Sequence, residues 1–371
     1  MATGQRGDPE AGMDPAPAAA GGGDHARHRR LGQDRAHRGD CWMNTVSLRA
    51  RRQRPRCTPR TQRGIALLVA ILLVALGTII AAAVAYENAT TARRGTATYA
   101  FDQALLIAQG AEALAAYGLR QIRQNDKDHT YPAQGWAKPI GPIEVVPGVM
   151  LEASLEDLQG RFNLNNLVKN DTAVDPVQLQ AFTQLLAMAG VEPKWAGYIV
   201  DWIDRDMTPS VPDGAKDSVY MGQTPPYRTA NRYITSASEL LALPGFGRDR
   251  YLKLAPFVTA LPYNTQVNLC TAAGLVLDAY LGHQDFSSDA DSLAKNRANA
   301  PGCFPTQRDY EAAFADPKVL GQVRPKIAQV SSYFRLTSFI TIGSAEFNLY
   351  SLLFQDQNNS VRPILRSFTP D

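Results

Sequence analysis

The chain has 371 residues, with 38 Lys and Arg against 35 Asp and Glu, a formal net charge of +3. That total misrepresents its body, because residues 1–64 hold 13 Arg, no Lys and 6 acidic residues, which leaves 25 basic against 29 acidic over the rest. A net-negative body argues against a nucleic-acid surface spread over it, since phosphate contacts need clustered Lys and Arg.

The first forty residues are rich in Ala, Gly, Pro and Arg and nearly devoid of large apolar side chains. They bury too little surface to fold and read as a disordered leader. Met43 is a candidate start codon, because residues 43–64 alone make a compact basic leader. Arg49, Arg51, Arg52, Arg54, Arg56, Arg60 and Arg63 then crowd the approach to residues 65–85, a run without one charged residue. At ~1.5 Å per residue such a helix spans the ~30 Å hydrocarbon core of a bilayer, and it is too long for the apolar region of a signal peptide. The arginines hold the N-terminal side in the cytoplasm, which sends everything after about Tyr86 across the membrane. Cys41 and Cys57 fall on the reducing side and Cys270 and Cys303 on the oxidising side. One Cys270–Cys303 bridge is therefore expected, with two buried free thiols as the alternative.

The helical signal continues past the apolar run. Phe101, Leu105, Ala108, Ala115, Leu119 and Ile122 share one face at steps of three, four and seven, and no Pro occurs between Ile65 and Tyr131. This predicts one helix that leaves the membrane and runs to about Arg123. Its apolar stripe must meet either the chain's own sheet or neighbouring helices. Gly135, Pro139, Gly141 and Pro142 mark a loop, followed by short strands at 143–146 and 149–155 about the Pro147-Gly148 turn. Near the other end, 333–342 and 345–354 alternate apolar and polar residues across Gly343-Ser344, a two-residue loop with Gly first, as a II′ hairpin prefers. Between these strands lie candidate helices at 176–189, 193–203, 236–243, 248–258, 272–282 and 306–314, several opened by Pro or by Ser and Thr caps. The fold class is α+β: a long N-terminal transmembrane helix, and an antiparallel sheet interrupted by a large all-α insertion. The division is a leader (1–64), the N-terminal helix (65–125, in the membrane to about 85), the first part of the head (126–169), the insertion (170–325) and closing strands (326–371).

At this point the residues resemble a known family, the K-class minor pseudopilins of the type II secretion system. The resemblance runs from Arg63 to about Gln355. It is carried by Arg63-Gly-Ile-Ala-Leu-Leu-Val, Gly160-Arg-Phe-Asn-Leu-Asn-Asn-Leu, Asp201-Trp-Ile-Asp-Arg-Asp, Pro226-Tyr-Arg-Thr-Ala-Asn-Arg, Ser238-Glu-Leu with Leu243-Pro-Gly-Phe, Pro256-Phe-Val-Thr-Ala-Leu-Pro, and Ser332-Tyr-Phe-Arg-Leu. The membrane segment would fit any type IV pilin relative, whereas the ordered set of later motifs is much more specific. The resemblance implies cleavage by prepilin peptidase after Gly64 and N-methylation of Ile65. It also implies a bacterial inner-membrane protein with a periplasmic body. Its place would be the pseudopilus tip, where it would start assembly with the I-class and J-class minor pseudopilins on the inner-membrane platform. The tip would face the outer-membrane secretin or secreted cargo. Val69, fifth from the expected terminus, stands where most pilins carry Glu. In those relatives the carboxylate looks like the partner of a neighbour's terminal amine, so its loss fits a subunit with no neighbour above it. Phe101, Leu105, Ala108, Leu119 and Ile122 are the candidate assembly stripe.

The same resemblance implies calcium in the insertion. Asp204, Asp206, Asp213 and Asp217 fall on a short Pro- and Gly-bearing loop, the hard oxygen donors that Ca²⁺ accepts. Asp206 and Asp217 lead the candidate ligands, with Asp204 next and Asn231 as a neutral donor. The family pattern Gly-Ala-Glu-Asp reads here Gly214-Ala215-Lys216-Asp217, so a carboxylate is lost and a cation gained. The plainer alternative is a solvated acidic loop. Leu243-Pro-Gly-Phe-Gly also resembles the hairpin of helix-hairpin-helix modules, which gives a second reading, a membrane-anchored DNA receptor of the competence type. A tight turn whose glycines let two helices approach explains the same residues. Glu112, Asp201 and Asp204 form no enzyme constellation, and no nucleophile accompanies them.

Overall fold

The computed structural model describes residues 63–299 and 302–369. Residues 1–62 of the leader, with Cys41, Met43 and Cys57, lie outside them. Helix α1 runs unbroken through Arg63–Asn125, as the lack of Pro allows. In its distal half Ala104, Ala108, Ala111, Ala115 and Leu119 are buried at steps of three and four. They share one core with Val149, Leu151, Phe334, Leu336, Ile340, Leu349 and Leu353. The short Ala side chains let the helix approach a sheet closely, and full burial of a side chain such as Phe334 stabilises by roughly 1.5–3 kcal/mol.

That sheet has five strands in simple sequential order, all antiparallel: β1 (Ile140–Val146), β2 (Val149–Asp157), β3 (Tyr333–Ile342), β4 (Ala345–Gln355) and β5 (Val361–Ser367). Burial alternates along β3 and β4, so one face meets α1. Gly343 turns the β3–β4 hairpin with φ +61°, a left-handed conformation in which glycine carries no Cβ penalty. The sequence places Gly141 and Pro142 in a loop, but both belong to β1. Pro survives there because β1 is an edge strand with an irregular register between Ile140 and Ile143. The opposite edge, β5, carries Pro363 beside a register shift at Leu352/Leu353.

Between β2 and β3 the chain builds a helical unit with its own core, in which Phe162, Phe182, Leu185, Ile199, Tyr220, Phe246 and Tyr310 are buried. Its helices are α2 (Pro176–Met188), α3 (Trp195–Ile203), α4 (Asp217–Tyr220), α5 (Gly247–Leu254), α6 (Gly274–Leu281), α7 (Ala290–Asn299), α8 (Gln307–Ala312) and α9 (Pro317–Val323). Caps set several starts: Asp175 accepts from Val177 N and Gln178 N ahead of α2, and Thr306 with Asp309 forms a capping box on α8. Residues 237–242 form a 3-10 helix where the sequence suggested an α-helix. The unit reaches beyond residues 170–325. Phe162, Leu164, Leu167 and Val168 lie in its core, and Val267–Asn268 pairs in parallel with Ile327–Ala328. Its natural ends are therefore Asp157 and Tyr333, where the sheet stops and resumes.

Candidate functional site

In the apolar run Ile65, Val69 and their large neighbours are all exposed, as suits a helix whose solvent is lipid. The Thr78 hydroxyl donates to Ala75 O at 2.8 Å, which satisfies the polar group within the run. No carboxylate occurs between Ile65 and Ala85, and Val69 simply continues the apolar surface. One helix among the described residues is long and apolar enough to cross a membrane. Gly64 lies within α1, so the expected cleavage bond falls in its first turn.

The candidate assembly stripe meets the chain's own sheet. Ala108 and Leu119 are buried in the α1–sheet core, with Leu105 and Ile122 packed at its border. Phe101, at the proximal end, touches Phe347 and Phe368 with ring centroids 6.2 and 5.2 Å away. Of the two partners open to this stripe, the intramolecular one is realised. The apolar side chains left for a neighbour are others on α1, namely Tyr99, Leu106, Leu114 and Tyr117, which are exposed.

Glu112 sits inside the α1–sheet contact. It accepts from Arg366 Nε and Nη2, both at 2.7 Å, and from Ser351 Oγ at 2.6 Å. Burial pushes its carboxyl up, but the Arg366 and Ser351 bonds outweigh that and hold it below the usual glutamate range. Such a bidentate pair is structural, and it fixes β5 to α1.

A second buried carboxylate joins sheet and helical unit. Asp157 accepts from Thr271 Oγ1 and Ser331 Oγ at 2.6 Å, from Asn268 Nδ2 at 3.0 Å and from Gln159 N at 2.9 Å. Burial is the largest influence on its carboxyl and pushes it above the ordinary aspartate range despite the four donors. Asn268 Nδ2 also reaches Thr130 O at 2.8 Å, so the loop after α1 joins the same network. Sequence reasoning missed this hub, because its members lie far apart and none belongs to a charged cluster. Cys270, beside Asn268, is disulfide-bonded to Cys303 with Cα atoms 4.7 Å apart.

The expected calcium set is not brought into one shell. Asp206 Oδ1 accepts from Thr208 N at 2.8 Å, and Asp217 Oδ1 accepts from Thr229 N at 3.0 Å and Thr229 Oγ1 at 3.1 Å. Asp204 and Asn231 turn instead to the Lys216 ammonium. Asp213 lies in the turn before it. Among the described residues no three of His, Cys, Asp and Glu gather as a metal shell. The loop is ordered otherwise, with Asp201 accepting from Ser210 N and from Ser210 Oγ at 2.6 Å. Carboxylates close in sequence have been distributed among separate local donors, which spacing alone cannot foresee.

At the Pro-Gly-Phe-Gly turn, Gly245 and Gly247 adopt φ +79° and +75°. Phe246 is buried against Trp195, edge to face with centroids 5.1 Å apart. Arg250 is forked onto Glu192 at 2.6 and 2.7 Å and also donates to Phe246 O at 3.0 Å. The turn thus serves helix packing, and Arg250, one turn along α5, is already paired with Glu192.

A long apolar helix whose distal half lies on an antiparallel meander, with a helical unit between the second and third strands, defines a pilin-like protein. The pattern of the family described as type II secretion system (T2SS), protein K matches residues 160–263. A type II secretion system protein K from Pseudomonas aeruginosa is 32% identical over 321 residues, covering 83% of this chain and 93% of the relative. One from Aeromonas hydrophila is 36% identical, covering 76% of this chain and 94% of the relative. Among solved structures, a chain of the GspK-GspI-GspJ complex from the type 2 secretion system of enterotoxigenic Escherichia coli aligns with a TM-score of 0.66 and 25% identity. It covers 75% of this chain and all of that one. The chain belongs to the type II secretion system protein K family. That family is a secretion component, and it decides the choice against the DNA-receptor reading.

Proposed function

We propose that this chain is the tip subunit of a periplasmic pseudopilus and starts its assembly with I-class and J-class minor pseudopilins for protein export. Prepilin peptidase cuts after Gly64 and the new terminus, Ile65, is N-methylated. The single apolar helix anchors the protein in the inner membrane, where the assembly platform lifts it, and the body faces the periplasm, cargo and the secretin. Its work is mechanical and organisational rather than catalytic. The observation that carries this reading is the likeness, over the full length of that neighbour, to a chain solved together with its I and J partners. The exposed Tyr99, Leu106, Leu114 and Tyr117 on α1 support it, because they offer apolar area to adjacent helices while the opposite stripe is occupied by the sheet. Co-expression of the full chain with tagged I-class and J-class partners, extraction in detergent and affinity capture tests it. All three proteins are expected in one complex, and their failure to associate at micromolar concentration overturns the tip assignment.

A further inference from the structure

The Lys216 side chain is 3% exposed, and its ammonium lies in a cage made only of oxygen. It donates to Asp201 O at 2.6 Å, Asp204 O at 3.2 Å and Asn231 Oδ1 at 3.4 Å, and it contacts Asp204 Oδ1. The Asp201 carbonyl belongs to the last turn of α3 and the Asp204 carbonyl to its C-cap residue, at the end where final C=O groups lack intrahelical partners and carry the negative end of the helix dipole. Asn231 is held by its own N–H, which donates to Trp202 O at 2.9 Å, and by a left-handed backbone of φ +49°. Two backbone carbonyls, one carboxylate and one amide oxygen are the donor types a hard divalent cation takes. Three separate segments converge on that point, and the chain supplies the positive charge itself.

We infer that the Lys216 ammonium takes the place a divalent cation would hold at the C-terminal end of α3, so that the helical unit carries its own cation and needs none from solution. An ammonium is strongly hydrated, and it is buried only where carbonyls and a carboxylate replace its water. A cage filled this way cannot admit a second cation, because the ammonium occupies its centre and repels it. Opening the cage takes one substitution. Lys216→Glu removes the internal charge and adds a carboxylate, leaving a set of oxygens that calcium could complete with water.

The test uses the full chain purified in detergent, with melting followed in excess calcium and in excess chelator. The parent is expected to melt at the same temperature in both. Lys216→Glu is expected to melt lower in chelator and to recover by roughly 5 °C or more with calcium, since a ligand that binds only the folded state stabilises it. Lys216→Met, which keeps the apolar stem, is expected to melt lower than the parent by a similar margin at either calcium level. A parent that loses stability in chelator overturns the inference, and so does a Lys216→Met variant as stable as the parent. If Lys216→Glu does not fold, those two comparisons still decide.

Discussion

The Ser331 hydroxyl donates to the Asp157 carboxylate at 2.6 Å, although the two residues stand 174 positions apart in the chain. Asp157 ends β2, and Ser331 lies just before β3 begins. This bond closes the base of the helical unit and ties both of its ends to the sheet. Asp157→Ala strips the acceptor from four donors at once, so it should destabilise by about 3 kcal/mol or more. Ser331→Ala removes one donor and should cost about 1 kcal/mol. Urea unfolding of the detergent-solubilised chain checks both, and equal effects would show that Asp157 is no hub.

The Glu112–Arg366 pair sets an acid limit on the head. The folded carboxyl lies below its ordinary value, so its contribution is present above the unfolded pKa, about 4.3, and is lost as pH falls through the folded value. The stability gap between the parent and Glu112→Gln should be widest above about pH 5 and shrink progressively as pH falls below the unfolded value. Arg366→Met leaves the carboxylate buried and unpaired, and should cost roughly 1–3 kcal/mol near neutral pH. Denaturant melts across pH 3–7 read this directly, and a gap that does not change with pH refutes it.

The Cys270–Cys303 bridge closes a loop of 33 positions that includes α6 and α7. Replacing both cysteines with Ala should lower stability by ~2–4 kcal/mol, chiefly through the freer unfolded chain. Alkylation of the native, non-reduced protein should label neither thiol. Labelling of both would contradict the bridge.

Processing should depend on the small residue before the scissile bond. Gly64→Val puts a branched side chain where the peptidase must admit the chain, so an uncut precursor should accumulate in the membrane. Intact-mass analysis reads the outcome, and a mature terminus other than Ile65 in the parent removes the assignment.

The long helix and the β3–β4 hairpin were legible because their signals are local. Uninterrupted apolar periodicity marks the one, and strict alternation about Gly343-Ser344 marks the other. β5 was not, since Arg362, Pro363 and Arg366 break the alternation and only pairing with β4 makes a strand of it. α7 has too few apolar residues for a periodic signal, and α4 is a single turn. The motifs carried the family, yet they could not say which oxygens converge. Asp206 and Asp217 lie in the right stretch but are engaged by Thr208 and Thr229, while Lys216, named only as an intruder, stands at the centre. Direction of side chains and contacts across a hundred positions are properties of packing, and spacing does not encode them.

The prolines of β1 and β5 sit on the two outermost strands of the sheet. A proline gives an approaching strand no N–H to bond, and the register shift beside each bends the rim away from straight pairing. Edge-to-edge continuation of one sheet into the next, the commonest route of β-protein aggregation, is thereby disfavoured at both rims. Contacts between helices, by contrast, can be made and released without unzipping a ladder of backbone bonds.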